Sequence, residues 1–429
     1  MGPMEPHPIQ VVVEDDLERS RLTVFFRLLL AIPHFVWYFL WSIGTFFAAI
    51  AAWVVALITG RVSGGLHNFL GAYVRYTTHL FAYLCLAANP YPGFTGEPGS
   101  YPIDVQIAPP APQNRWKVGF RFFLALPALL LAAVLAGTPG FGGGGGTGGR
   151  GDEPSWAGWT GGGLIFVVAF LAWFVCLIRG RMPNGFRDLQ AYALRYNAQA
   201  VGYLVLLTDR YPNSDPSSPP AALPPGRPSV QIRIEDDLRR SRLTVFFRFL
   251  LFLPHLVWLI LWTVAAFFAV LAGWFAALAT GRMPGALHRF IAAYVRYSTH
   301  VFAYLFLTAN PFPGFTGEAG SYPIDLEIDP PEPQRRWKTL LRLFLAIPAF
   351  MVSGGLNAAL FVVGLFGWFV SLATGRMPEG LRNLGAFAQR YEGQTNAYFL
   401  LLTDRYPYSG PWEWAPTSEA ETEPEVAAA

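Results

Sequence analysis

Apolar residues in this chain run in long blocks rather than in alternation. After Arg27 no Lys, Arg, Asp or Glu occurs until Arg61, and the block from Arg21 to Thr59 is rich in Phe, Leu, Ile, Val and Trp. The same layout returns from Arg242 to Thr280 and from Arg336 to Thr374. As one helix, each block would be about 60 Å long, twice the roughly 30 Å hydrocarbon core of a bilayer. The blocks are preceded by short stretches of period-2 alternation at Ile9–Val13, Tyr101–Ile107, Val230–Ile234 and Tyr322–Ile328. Such alternation with β-branched residues predicts strands, which could pair into a small sheet, or extended linkers. After each block comes a more polar segment with apolar residues at helical spacing, as in Leu381, Leu384, Phe387, Ala388 and Tyr391. Its Arg382, Gln389, Arg390, Glu392 and Gln394 are too polar for a lipid-facing span. It predicts an amphipathic helix at a membrane surface.

This order of elements occurs four times, and a repeat fixes architecture before any fold is assigned. Ser20-Arg-Leu-Thr-Val-Phe-Phe-Arg27 recurs as Ser241-Arg-Leu-Thr-Val-Phe-Phe-Arg248, and every block closes on Gly-Arg, at Gly60, Gly180, Gly281 and Gly375. Four units follow: A over 8–98, B over 99–212, A′ over 229–319 and B′ over 320–409. Unit B carries an insertion, a Gly-rich loop at 137–163, absent from B′. A linker rich in Pro and Ser at 213–228 joins the halves. An acidic tail at 410–429 reads as disordered, with Trp412 and Trp414 as interfacial anchors.

The insertion bears on how a 60 Å block meets a 30 Å bilayer. It divides the block of unit B into two apolar legs, and a loop carrying Arg150, Asp152 and Glu153 cannot sit in hydrocarbon. The expectation is therefore a transmembrane helical hairpin in each unit, about eight spans in all. Composition agrees with a membrane class: 53% of residues are hydrophobic and 14% charged, against about 25% charged in soluble proteins. The fold class expected is an all-α polytopic integral membrane protein of four tandem repeats. Each repeat holds a short strand, a hairpin and an interfacial helix. If all hairpins insert the same way, Arg150 alone of the 31 Lys and Arg lies outside. The positive-inside rule then places both termini in the cytoplasm. The first 19 residues lack the apolar core of a cleavable signal.

Several motifs together resemble a known family. They are Tyr322-Pro-Ile-Asp-Leu-Glu-Ile, Ile32-Pro-His34, Leu253-Pro-His255, Thr374-Gly-Arg-Met-Pro378 and Leu402-Thr-Asp-Arg-Tyr-Pro407. The set resembles an uncharacterised prokaryotic membrane family, the domain of unknown function 4389, in four tandem copies. Units B and B′ depart from it in having Pro127-Ala128 and Pro348-Ala349 in place of Pro-His. The resemblance implies a membrane class and repeat boundaries, and no catalytic residue or cofactor.

Three sets of residues could carry chemistry. Arg75, Arg195, Arg296 and Arg390 each precede a Tyr, namely Tyr76, Tyr196, Tyr297 and Tyr391. Arg in this setting suits a lipid phosphate or another anion, or it pairs with a nearby strand or turn carboxylate. His34 and His255 follow a Pro inside an apolar block, where an ionisable group is a candidate relay or ligand. Equally, each could bond a carbonyl freed by the Pro. Arg27, Arg121, Arg248 and Arg342 would lie two turns inside the block, either lining a polar cavity or snorkelling to headgroups.

Against an enzyme, no Ser-His-Asp order, HExxH or CxxC is present, and the Gly-rich loop lacks a Gly-Lys-Ser/Thr signature. Cys85 and Cys176 offer neither a disulfide framework nor metal spacing. With no metal or cofactor and no nucleic-acid partner expected, the leading expectation is a non-enzymatic envelope scaffold. It would contact anionic lipid headgroups and a membrane-protein partner. A transporter or channel for a small or amphipathic solute is the alternative, and a haem- or metal-binding membrane subunit the third.

Overall fold

The computed structural model describes residues 6–137, 162–217 and 228–411. Arg150, most of the Gly-rich loop, the middle of the linker and all of the tail after residue 411, including Trp412 and Trp414, lie outside the described residues. The chain divides into two compact units, which follow the A–B and A′–B′ halves except that Ile347–Phe366 groups with the first.

In the first half, β1 (Ile9–Val13) leads into α1 (Arg21–Leu30) and α2 (Ile32–Thr59), followed by α3 (Gly64–Leu84). Then come β2 (Ile103–Ile107), α4 (Arg115–Gly119), α5 (Arg121–Ala136), α6 (Gly163–Arg179) and α7 (Asn184–Leu204). The second half repeats the order more simply, with β3 (Val230–Ile234), α8 (Arg242–Thr280), α9 (Gly285–Leu305), β4 (Ile324–Ile328), α10 (Arg336–Thr374) and α11 (Glu379–Phe399). The strands form two antiparallel pairs, one per half: Val11 opposite Val105, and Ile232 opposite Leu326.

The expected hairpins do not form. α8 and α10 are each one helix of 39 residues, about 58 Å long. α1 and α2 are separated only by Ala31, whose backbone stays in the helical region and keeps its bonds to Arg27 and Phe35. Each block instead ends at its Gly-Arg, where Gly60, Gly180, Gly281 and Gly375 adopt the left-handed cap that glycine tolerates. In unit B the insertion leaves and re-enters the helix at one point. A Cβ on Gly137 would lie 2.5 Å from the Gly162 carbonyl oxygen, so only glycine allows the two edges to close.

Contacts across the half show that unit B's helix runs straight past this point. The Trp53 indole donates to the Val118 carbonyl at 2.9 Å, and the Trp173 indole donates to the Val24 carbonyl at 3.3 Å. Val24 and Trp53 are about 43 Å apart along α1–α2. Val118 and Trp173 must be similarly separated, whereas hairpin legs would bring them together. The two long helices of the half are therefore antiparallel, which corrects the expectation that all units point the same way. In the second half Trp274 donates to Thr339 and Trp368 to Val245, in the same antiparallel sense.

Each half is layered. The strand pair packs on α3 and α7 in the first half and on α9 and α11 in the second. α3 packs in turn on α2, α7 on α5 and α9 on α8. The long helices bury one narrow stripe: Val24, Arg27, Ala31, His34, Thr45, Ala52 and Ala56 in α1–α2. The spacing of three and four is that of a single helix face. The rest of the α1–α2 circumference is largely exposed and apolar.

Helix three also departs from expectation. Instead of an amphipathic helix with one face in water, α7 and α11 are buried on nearly every side. Their polar side chains serve the interior: the Gln199 amide donates to the Ile9 carbonyl, and the Gln394 amide to Val230, both at 2.9 Å. A two-stranded sheet leaves carbonyls unpaired, and these side chains satisfy them.

Candidate functional site

Helix three ends the same way in every unit, on a leucine with left-handed backbone: Leu86, Leu206, Leu307 and Leu401, with φ between 63 and 68°. A β-carbon makes this conformation costly. The reversal also leaves the last carbonyls of the helix without intrahelical partners. Arg27, Arg121, Arg248 and Arg342 reach from the long helix to this end. Arg27 donates to the Tyr83 and Ala88 carbonyls at 2.5 and 3.0 Å, and lies 4.3 Å over the Tyr83 ring. Arg248 does the same with Tyr304 and Ala309. Arg342 takes Tyr398 and Thr403, both at 2.7 Å, and adds Asp404 at 3.0 Å. Arg121 takes Thr208, Gln113 and Asp209, over the Tyr203 ring. A cation at a helix C-terminus complements the negative end of the dipole, and the Tyr face adds a cation–π contact. The expected cavity or snorkelling position for these arginines gives way to an internal clasp.

Sequence reasoning missed its second component. Arg19 donates to the Leu86 and Ala87 carbonyls and pairs with Asp15 at 2.7 Å. Arg240 repeats this with Leu307, Thr308 and Asp236. In the B-type units Gln113 and Gln334 hold the leucine carbonyl instead. A signal existed: Asp15 and Arg19 recur as Asp236 and Arg240, four residues apart in both units.

The Arg-Tyr pairs point in different directions. Arg75 and Arg296 donate to strand carbonyls, Val105 at 2.9 Å and Leu326 at 3.0 Å, tying helix three to the sheet. Burial lowers the pKa of both guanidinium groups from the usual value, opposed by Asp104 and Asp325. Arg390 is fully buried, donates to the Gly410 carbonyl at 2.8 Å and is pushed down to about 9 by burial. Arg195 lies 5.3 Å over the Tyr192 ring. Tyr196 and Tyr391 are buried, and burial raises the pKa of each phenol. Tyr76 and Tyr297 face the Pro-His motif: His34 Nδ1 is 3.0 Å from the Tyr76 hydroxyl, and His255 Nδ1 is 2.8 Å from that of Tyr297. His34 also stacks on Phe94.

A second His pair sits at the sheet. His79 Nε2 meets Asp104 at 2.7 Å and His300 meets Asp325 at 2.6 Å, with the Gly99 and Gly320 amides on the same carboxylates. Burial would raise the Asp104 pKa, but the bonds from His79, Gly99 and Val105 outweigh it and hold it below the usual range. Asp325 behaves alike. His67 and His288 are held below the ordinary histidine value by burial, opposed by the Leu207 and Leu402 carbonyls. Cys85 is buried and its thiol is pushed up to about 12. Among the described residues no three His, Cys, Asp or Glu gather as a metal set would require.

The model of one family, the domain of unknown function DUF4389, matches residues 21–95, 157–214, 242–316 and 336–410. These matches cover well over half of the chain, which therefore belongs to this family as four tandem copies. No curated protein and no solved structure matches the chain.

Proposed function

We propose that this is a membrane-embedded protein without catalytic activity, which organises lipid or a membrane-protein partner in the bacterial cytoplasmic membrane, both termini lying in the cytoplasm. One observation carries the reading: apolar side chains are exposed along the whole length of α1–α2 and of α8, from Leu22 to Ile58 in α1–α2, both 69% exposed. Soluble monomers rarely leave bare apolar patches beyond a few hundred Å² (about 300–600). Three long helices have the length and composition of membrane segments. A shallow apolar groove on α2, lined by Pro33, Val36, Trp37, Leu40 and Phe94, has the character of an acyl-chain seat.

An organising role is favoured over catalysis because the recurring buried arginines and the His-Asp pairs are occupied with the fold. The clasp arginines hold helix ends, Arg75 and Arg296 hold strands, and the His-Asp pairs hold the sheet loop. What faces outward is apolar surface with basic residues at its ends. Alkaline extraction of membranes, then in-cell cross-linking with mass spectrometry, tests this reading. Retention in the membrane with reproducible lipid or protein neighbours supports it; release into the supernatant, or a bare monomer, contradicts it.

A further inference from the structure

We infer that each half lies in the plane of the membrane, with its long helices in the acyl region of one anionic phospholipid leaflet and its sheet in water on the same side. The inference rests on the membrane reading above and specifies how the protein meets lipid. Three independent features of each half lead to it.

The first is where the sheet sits. β2 meets the middle of α3, through Arg75 to Val105 and His79 to Asp104. The same part of α3 meets the middle of the long helix, through Tyr76 to His34 and Tyr73 to Ser42. The sheet thus lies over the midpoint of the long helix, not beyond its end. Were that helix to cross the bilayer lengthwise, a two-stranded sheet with open edges would stand at hydrocarbon depth. Irregular or open-edged backbone is excluded from lipid. So is the exposed Glu327 carboxylate on β4, together with Gln10 and Gln106 on β1 and β2.

The second is length and exposure. About 58 Å of helix is twice the hydrocarbon thickness, yet it is exposed and apolar to both ends, with Leu22, Phe46 and Ile58 all above 60%. A crossing helix would present a band of about 30 Å flanked by polar surface. One lying in a leaflet presents its whole length.

The third is charge. The antiparallel arrangement puts Arg61 beside Arg115 at one end, where Gly60 adjoins both Gln113 and Arg115. It puts Arg21 beside Gly180 and Arg181 at the other. Crossing would send one basic cluster to each side of the membrane, against the positive-inside rule. In-plane insertion leaves both clusters at a single surface, where they meet anionic headgroups, each cation contributing to binding. The exposed Trp116, next to Arg115, suits the same interfacial depth.

The test uses the full chain with Cys85 and Cys176 replaced by Ala. Single cysteines are placed at the two ends, as Arg61→Cys and Arg181→Cys, with Ser63→Cys and Arg179→Cys as spares should either fold poorly. Retention after alkaline washing is established first, so that loss of the membrane reading itself is seen separately. A membrane-impermeant maleimide is then applied to right-side-out spheroplasts and to inverted vesicles. In-plane insertion predicts that both ends label in inverted vesicles and neither in spheroplasts. Labelling of the two ends from opposite sides overturns the inference. So does failure of both to label from either side, since the ends must stand at the aqueous surface.

Discussion

The Arg27 guanidinium lies 4.3 Å above the Tyr83 ring while donating to the carbonyl of that same tyrosine. One side chain thus closes the end of α3 on the long helix, and Arg121, Arg248 and Arg342 repeat the contact with Tyr203, Tyr304 and Tyr398. Together with the Tyr76–His34 and Tyr73–Ser42 bonds, this clasp fixes the registration of the two helices.

Arg248→Met therefore leaves the Tyr304 and Ala309 carbonyls buried and unpaired. The expected loss is about 3 kcal/mol, from orphaned acceptors and lost cation–π contact. Arg248→Lys recovers only part of it, because an ammonium cannot reach two carbonyls with a planar fork. Thermal unfolding in mild detergent, followed by near-ultraviolet circular dichroism, measures both. A Met variant that melts with the parent would remove the clasp from the account.

Gly96 explains part of the spacing from Asn89-Pro90 to Thr95-Gly96-Glu97, which recurs from Asn310-Pro311 to Thr316-Gly317-Glu318. Its φ is +63°, and a Cβ there would stand 2.2 Å from the Ala72 carbonyl oxygen, with Gly317 placed likewise against Ala293. Gly96→Ala is expected to cost more than about 2 kcal/mol. Gly93→Ala, three residues earlier and with open space around it, should be near neutral. Equal effects at the two positions would contradict the close approach.

Acid should destabilise the protein in two stages. His67 and His288 have folded-state pKa values below the 6.5 of the free side chain. Their contribution is present above 6.5 and is lost as pH falls through the folded value. Asp104 and Asp325 are held below 3.8, so theirs is lost at lower pH still. The melting temperature should be flat from pH 7 to 8, fall below about 6.5 and fall again below about 4. His67→Gln with His288→Gln should reduce the first step. A double variant that keeps the full step would reassign it to other groups.

The repeat, the four strands and the Gly-Arg ends were legible in sequence because each depends on local pattern: periodicity, β-branching and a left-handed cap. The straight course of unit B's helix was not. A loop leaving between Gly137 and Gly163 fits a hairpin and a through-going helix equally, and only the distant contacts of Trp53 and Trp173 separate them. The burial of helix three was also hidden. Gln199 and Gln394 look water-facing until the strand carbonyls they satisfy are in place, and Arg390 until the Gly410 carbonyl is. The clasp was half legible, since Arg27 stood out by recurrence while its partner lay 56 residues away.

Trp53 and Trp173 tie the antiparallel pair together from opposite ends. Each indole bond to a carbonyl is worth about 1 kcal/mol. Trp53→Phe and Trp173→Phe should each lower stability by that order, and the double variant by their sum, because the two sites are about 43 Å apart along the helix. Strong coupling between them would contradict separate ends.

The depth of the long helix in lipid tests the central claim most directly. Spin labels at Leu29, Ile43 and Ile58, all exposed positions of α1–α2, report depth through their relative accessibility to oxygen and a water-soluble nickel complex. In-plane insertion predicts one common depth, within the acyl region of a single leaflet, for all three. A deep Ile43 with Leu29 and Ile58 near the headgroups of opposite leaflets would contradict it.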